Sequence, residues 1–221
     1  MELIAFWPKL AAGVQYTLII TMGAFLLGAI LAVPLTAARR SPIRLVRFLG
    51  STYVEILRGV PPLPWLFLVF FALPTFGVRL PAVQTGIVVF GLISAAYLTE
   101  IYRAGFRAVP LGQTEAGEAL GLSRAHIYTK ILVPQAVRTI LPMSIAYLIG
   151  LLKDSALVSV IGVQDITALA LVQNRQSGEG LTVFISTAAL YLLLSIPVGV
   201  FGRWLGNRLG AARPRKSEVL V

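Results

Sequence analysis

The chain has 221 residues, of which 57% are hydrophobic and 13% charged, whereas a soluble domain typically carries about 25% charged residues. Cysteine is absent and His126 is the single histidine, which excludes disulfides, zinc–thiolate sites, a thiol nucleophile and a multi-histidine metal site. The net charge of +10 is compatible with nucleic-acid binding, but in so apolar a chain it favours a membrane protein with Lys and Arg in its cytoplasmic loops.

The first predicted element is a membrane span at about 10–38, which contains no charged residue and exceeds the roughly 20 residues needed to cross a bilayer. A cleavable leader is not expected, because the N-terminal region is acidic and the apolar stretch is too long. Four further apolar stretches predict spans at about 59–78, 80–103, 139–163 and 180–204. The predicted fold is therefore a single all-α domain over 1–221, with five transmembrane helices.

The distribution of basic residues predicts the orientation of these spans. Most of them lie between spans one and two, between spans three and four, and after span five, and only Lys9, Arg79 and Arg175 lie on the opposite side. The positive-inside rule then places the N-terminus outside and the C-terminus inside. The connection at 107–138 is predicted to be cytoplasmic, and the tail at 209–221 is predicted to be flexible.

Two charged pairs lie near the ends of the second and third spans. Glu55 and Arg58 precede a proline-rich turn at 61–64 that should kink or unwind the helix, and this segment is a candidate wall of a transport pathway. Glu100 and Arg103 are three residues apart on one helix face, where a local ion pair is the favoured interpretation. The alternative is that they form a gate that opens during transport.

The segment 114–134 is polar and helix-prone, which predicts two short helices. Thr114 is predicted to cap the first helix and Gly121 to end it in the left-handed conformation. Ser123 is predicted to cap the second helix, and Pro134 to end it. Small residues on one side would allow another surface to approach closely. From the residues alone, this segment is either an interfacial helix resting on the bilayer or a docking element.

Lys153 and Asp154 are neighbouring charges within the fourth predicted span. Adjacent helix residues point about 100° apart, so the two do not simply pair with each other, and each needs a partner elsewhere. One hypothesis places Lys153, Asp154 and Ser155 on the transport pathway, where charges recognise the ammonium or carboxylate of a substrate. The alternative, favoured on the residues alone, is that the charges tie the span to neighbouring helices.

The spacing within 115–134 resembles the EAA signature of ABC importer permeases, which has the form E-A-A, three residues, G, nine residues, I, one residue, L-P. The matching residues are Glu115, Ala116, Gly117, Gly121, Ile131 and Pro134. Gly117 stands where the second Ala is usual, and Val133 where Leu is usual. In that family the segment is a coupling helix that docks on the ATP-hydrolysing subunit.

Four further segments resemble the polar amino acid branch of these permeases: "YVEILRGVPPLP" at 53–64, "AAYLTEIYRAGFRAVPLGQ" at 95–113, "ILVPQAVRTILP" at 131–142 and "LLKDSALVSVIGV" at 151–163. The resemblance implies a type I importer permease in a bacterial inner membrane. It also implies the partners: two ATPase subunits, a second permease that is identical or related, and an extracytoplasmic binding protein. The implied cargo is a polar amino acid or a derivative of one.

The chain contains no G-x-x-x-x-G-K-[ST] phosphate loop, which fits a membrane subunit whose ATP and magnesium are bound by the partner ATPase. Catalytic residues, a metal site and a cofactor in this chain are not expected. A rival hypothesis is an ion-coupled secondary carrier that uses Lys153, Asp154 or Glu100 as its ion site. A third is a membrane scaffold that does not transport. The EAA spacing argues against both.

Overall fold

The computed structural model of the protein describes residues 6–209, and this part of the chain is helical. The predicted tail at 209–221 lies outside the described residues except for Leu209. The α-helices are α1 (Trp7–Ala11), α2 (Val14–Arg39), α3 (Arg44–Gly59), α4 (Pro62–Phe67), α5 (Ala82–Arg107), α6 (Gly112–Ala119), α7 (Arg124–His126), α8 (Val133–Asp154), α9 (Ile166–Ser177) and α10 (Gly180–Arg208).

Four continuous helical segments within residues 6–209 are long and apolar enough to cross a membrane: Trp7–Arg39, Ala82–Arg107, Arg124–Ile161 and Gly180–Arg208. The second predicted span is different, because the chain bends by 104° between Arg44–Gly59 and Pro62–Phe76. Val60 and Pro61 adopt extended backbone at the bend. The proline-induced break that the sequence indicated therefore lies at the start of the predicted span 59–78.

The turn after this broken pair is short, as its glycine and prolines predict. Gly77 has a φ of 82°, and its amide donates to the carbonyl of Pro74. Glycine occupies this left-handed conformation without the steric cost that a Cβ would add. The next helix, α5, begins at Ala82 directly after the turn.

The centre of the bundle is the packing of α2 against α5. Gly28 of α2 allows the two backbones to approach closely, since a Cβ added there would lie 2.4 Å from the Cβ of Ser94 on α5. Small residues of this kind are how membrane helices gain contact where no hydrophobic effect drives them together. The larger core includes Phe90, Leu66 and Val158, so α4 and the turn after α8 pack against the same α2–α5 pair.

We expect Gly28→Ala to destabilise the purified permease by about 1–3 kcal/mol, because the added methyl overlaps α5 and forces the two helices apart. Thermal unfolding in detergent measures the effect. Gly150→Ala on α8 is the matched control, since an added Cβ there has no heavy atom within 4 Å. Equal melting temperatures for the two variants would contradict close α2–α5 packing at Gly28.

The helical segment that contains the fourth predicted span begins before it, at Arg124, and changes helix type near its end. Pro134 does not end the helix that starts at Arg124, because a π-helical turn at Ile127–Leu132 leads directly into α8, where Pro134 occupies one of the first two positions. A proline there needs no backbone donor and keeps a helical φ. At the other end, α8 stops at Asp154 and a 3₁₀ helix continues over Ser155–Ile161.

The helix α9, between the fourth and fifth spans, was not predicted. Its ends carry recognisable signals, because Asp165 accepts a hydrogen bond from the amide of Ala168 and Gly178 adopts a φ of 70°. An N-terminal aspartate cap and a C-terminal left-handed glycine are typical helix boundaries. The start of α2 lies against α9, since Gly13 contacts the backbone of Asp165 and Ile166.

Candidate functional site

The residues of the EAA signature form a compact hairpin of helices at one end of the bundle. The first helix, α6, ends in a turn in which Gly121 has a φ of 70°. The amide of Leu122 donates to the carbonyl of Gly117, and that of Gly121 donates to Glu118. This pair of bonds satisfies the last carbonyls of α6 and reverses the chain, as in a Schellman motif. The prediction that Gly121 ends the helix in the left-handed conformation is confirmed.

The two predicted helix caps have different outcomes. The Ser123 hydroxyl accepts a hydrogen bond from the amide of His126, so Ser123 caps the second helix as predicted. Thr114 does not cap the first helix, because α6 already begins at Gly112, and Thr114 lies inside it. The turn before Gly112 supplies backbone bonds that start the helix earlier, including one from the Thr114 amide to the carbonyl of Leu111.

The departure from the signature at Gly117 has a structural counterpart. Gly117 is the buried residue of α6, and a Cβ there would lie 2.8 Å from Cγ1 of Ile127. The missing side chain therefore lets α6 lie directly on the π-helical turn. Gln135 adds a second tie by donating to the side-chain oxygen of Gln113, with an N–O distance of 3.0 Å.

The opposite side of α6 is open. Glu115, Ala116 and Ala119 are exposed, and Leu120 retains 76% of its accessible surface. Leu111, just before α6, is 81% exposed. An exposed leucine beside small residues on a braced helix is a surface on which another protein can pack closely. Ile131 and Pro134 do not belong to this face; they lie on the following segment that supports α6.

Glu100 lies in a three-residue ion cluster. Arg103 forms the predicted local pair with it, at 2.8 Å, and Arg39 from the end of α2 binds the same carboxylate oxygen. The Arg39 side chain is 11% exposed and that of Glu100 29% exposed. The cluster thus joins α2 to α5. Sequence reasoning missed Arg39, because the local pair with Arg103 already gave Glu100 a cationic partner.

A second group of polar and aromatic side chains joins α3, α5 and α8. The guanidinium of Arg58 lies 5.1 Å from the ring centre of Tyr97, and this ring stacks on Tyr147 at 5.4 Å. The Tyr147 hydroxyl is 2.9 Å from that of Ser94. Glu55 is exposed and does not reach Arg58 in an ion pair within the described chain. Cation–π contact, rather than the i,i+3 pair, therefore holds Arg58.

Asp154 lies seven residues after Tyr147, which places both on the same face of α8. Gly150 between them and Asp154 itself are exposed, whereas Tyr147 is half-buried. We name Glu55, Arg58, Tyr97, Tyr147 and Asp154 the polar face.

The three candidates at the end of α8 are placed differently from one another. Lys153 and Asp154 are exposed and form no ion pair with another residue in 6–209. Within this part of the chain, no ion pair provides the tie to neighbouring helices that the favoured expectation requires. Ser155 is buried, donates to the carbonyl of Leu152 and accepts a bond from Thr21 of α2. Its contacts are those of a packing residue.

The three-residue ion cluster around Glu100 and the helical hairpin of the EAA signature lie at the same end of the bundle. Arg40, which follows α2, lies 5.0 Å from the ring centre of Phe106 on α5 and 5.8 Å from that of Tyr128 on the π-helical turn. The ends of α2 and α5 therefore meet the EAA segment directly. The basic connections that the charge pattern assigned to one side of the membrane are close together in space.

This arrangement of spans and hairpin matches a known family. Residues 24–211 match the family described as "Binding-protein-dependent transport system inner membrane component", and the chain belongs to this family. It is thus a multi-pass inner-membrane permease subunit of an ABC importer, and the prediction of an importer permease is confirmed. The alternative of an ion-coupled secondary carrier is not favoured.

Individual relatives support the same assignment. The chain is 34% identical to the L-cystine transport system permease protein TcyB of Bacillus subtilis, over 93% of this chain and 88% of the relative. It is 32% identical to a putative glutamine transport system permease protein GlnP of Rickettsia bellii, over 94% and 97%. The crystal structure of an amino acid ABC transporter with histidines has a TM-score of 0.88 and 32% identity, covering 93% of this chain and 96% of that one. An inward-facing MetNI methionine transporter, 22% identical, has a TM-score of 0.78 and supports the fold.

Proposed function

We propose that this chain imports a polar amino acid or an amino-acid derivative, received from an extracytoplasmic binding protein. It works beside a second permease, identical or homologous, and two ATPase subunits that bind the ATP and magnesium. Its N-terminus is outside and its C-terminus inside, with α6 in the cytoplasm. Relatives named for cystine and glutamine transport support the substrate class.

The exposed side of α6 is the observation that supports coupling to an ATPase. It combines small residues with Leu120 and is braced from behind by the contact between Gly117 and Ile127. A helix that is packed against its neighbours passes a displacement of its outer surface on to them. A flexible loop would deform instead. Through Ile127–Leu132 the hairpin continues into α8, so movement of α6 is passed to the helix that carries Tyr147 and Asp154.

The mechanism is alternating access. ATP binding closes the two ATPase subunits, and α6 converts this closure into a rotation of the helices, which opens the pathway outward. Hydrolysis resets the pathway inward. The coupling is thermodynamic, since ATP must favour one orientation by several kcal/mol; about 5.5 kcal/mol would take the ratio from 1:99 to 99:1. The hairpin performs no chemistry itself.

The polar face is the proposed substrate contact of this pathway. Arg58 offers a cation for an α-carboxylate, and Asp154 offers an anion for an α-ammonium group. Tyr97, which Arg58 contacts, stacks on Tyr147, and the two rings provide a flat aromatic surface. Opposite charges on an open face within a membrane protein usually mark a wet cavity, because a charge in lipid is costly.

Reconstitution tests the whole proposal. The permease, its ATPase and the binding protein are placed in proteoliposomes, and uptake of radiolabelled amino acids is measured. We expect uptake to require ATP on the side of the membrane where the ATPase lies. It should also require the binding protein on the opposite side. Uptake driven by a proton or sodium gradient without the ATPase would overturn the proposal in favour of an ion-coupled carrier.

Asp154→Asn tests the polar face separately. We expect uptake to fall by about tenfold or more, because a hydrogen bond to a charged group contributes about 1.5–3 kcal/mol. Co-purification of the ATPase should be unchanged, since Asp154 has no ion-pair partner within the described part of the chain. Glu179→Gln, which removes another exposed carboxylate, is the control. Loss of assembly in Asp154→Asn would instead indicate a structural role.

A further inference from the structure

A groove between α2, α5 and α8 is not used by the proposed transport mechanism. It has a volume of about 620 Å³ and a largely apolar lining. The lining includes Phe25, Ala29 and Val33 from α2, and Val137 and Leu141 from α8. Val33 is 61% exposed, so the groove opens to the outside of the bundle.

The length of the groove matches one leaflet of a membrane. Along α2 it runs from Phe25 to Arg40, which is roughly 22 Å at 1.5 Å per residue, and along α8 from Val133 to Ser144, roughly 16 Å. Half of a hydrocarbon core is about 15 Å thick. The groove therefore has the length that an acyl chain of one leaflet occupies.

One end of the groove is basic. Arg40 and Phe106 also line an adjoining pocket of about 460 Å³, together with Arg103 and Arg107. Arg103 is paired with Glu100, but neither Arg40 nor Arg107 has an ion-pair partner among residues 6–209. Two uncompensated arginines thus lie where the apolar groove ends.

The position of Arg40 suits an anion in particular. Its guanidinium lies over Phe106, 5.0 Å from the ring centre, and near Tyr128. Stacking holds the guanidinium plane and leaves its edge N–H groups available, and these donate in a fork that fits phosphate oxygens.

We propose that this groove and its basic end form a binding site for an anionic glycerophospholipid, with an acyl chain between α2 and α8 and the phosphate at Arg40 and Arg107. The charge complementarity and the match between the length of the groove and the thickness of one leaflet both support this occupant. Basic pockets between transmembrane helices bind anionic headgroups for the same reason. With the orientation proposed above, the site faces the cytoplasmic leaflet.

The lipid would connect α2 to the segment that carries α6. Tyr128 belongs to the π-helical turn that braces Gly117, and it lines the groove beside Arg40. An occupied groove therefore fills the space between the first span and the coupling hairpin. Transport is expected to depend on anionic lipid for this reason, whichever amino acid is carried.

Native mass spectrometry tests the site on the assembled transporter, taken from nanodiscs that contain equal amounts of phosphatidylglycerol and phosphatidylcholine with the same acyl chains. We expect preferential retention of phosphatidylglycerol. The double variant Arg40→Gln/Arg107→Gln should weaken retention by roughly fivefold for each arginine. The control Arg44→Gln/Arg47→Gln also removes two positive charges, here from α3, and should not change phosphatidylglycerol retention.

A second pair of variants tests the groove without altering charge. Val33→Trp fills the groove and should reduce phosphatidylglycerol retention, whereas Ile30→Trp, at an exposed position on the same helix outside the groove, should not. Because both positions are exposed, neither variant should disturb folding, which thermal unfolding checks. Equal retention of the two lipids, with no effect of either Arg40→Gln/Arg107→Gln or Val33→Trp, would overturn the proposal.

Two further results would also overturn it. Displacement of the lipid by glycerol phosphate at equal concentration would show an anion site without an acyl-chain component. The chain contains no cysteine, so Val33→Cys introduces a unique thiol. Efficient crosslinking between two permease copies through this thiol would show that a second copy covers the groove.

Discussion

Ala116→Arg is expected to abolish ATP-dependent uptake while leaving the permease folded. Ala116 is exposed on α6, so the larger side chain has room in the isolated subunit. In the transporter it would hold the ATPase surface away from a helix whose small residues otherwise allow close packing. A residue at the centre of an interface contributes 2 kcal/mol or more, which corresponds to about thirtyfold in affinity. Uptake into proteoliposomes and co-purification of the ATPase are the measurements.

The control at the same position is Ala116→Ser, which adds one oxygen atom and should keep most of the activity. Thermal unfolding of all three proteins should agree, because the changes leave the buried contact between Gly117 and Ile127 intact. Full uptake by Ala116→Arg, with the ATPase still bound, would show that α6 is not the coupling surface.

Glu100→Gln is expected to lower the free energy of unfolding by about 2–3 kcal/mol. The carboxylate is the anionic partner of both Arg39 and Arg103, and Arg39 is 11% exposed. Removing one member of a largely buried ion pair is costly, because the remaining charge stays desolvated without a partner. Melting temperature in detergent measures the loss, and uptake should fall with the amount of folded protein.

The double variant Arg39→Gln/Glu100→Gln should recover part of this stability, since it removes the more buried of the two cations that lose their partner. Glu55→Gln is the control for the loss of a carboxylate, because Glu55 is exposed and should change stability by less than about 0.5 kcal/mol. If Glu100→Gln keeps wild-type stability but transports without control by ATP, the gate hypothesis would replace the structural one.

Features that depend on local sequence could be predicted from the sequence. The apolar stretches became helices because about 20 consecutive apolar residues are enough to favour a membrane span. Gly121 and Ser123 could be placed because helix caps depend on one residue and its near neighbours. The EAA spacing belongs to the same class of signal, and it identified the family that residues 24–211 match.

Features that depend on competition between local signals were predicted less well. Pro134 is a helix breaker in isolation, but a π-helical turn at Ile127–Leu132 rearranges the backbone bonds and carries the helix through it. Thr114 is a good capping residue, but α6 had already started. In both cases the helix boundary depends on backbone hydrogen bonds, and the type of side chain at one position does not specify them.

The sequence by itself determined the helical class of the protein, its candidate membrane spans and its EAA signature, because hydropathy and helix-boundary signals act over a few to about 20 residues. Only the tertiary structure decided which charges meet. Arg39 and Glu100 are 61 positions apart, and Arg58 contacts Tyr97 rather than the nearer Glu55. These contacts follow from how α2, α3 and α5 pack, since a charge in an apolar surrounding binds whichever partner the packing brings close, whatever its distance along the chain.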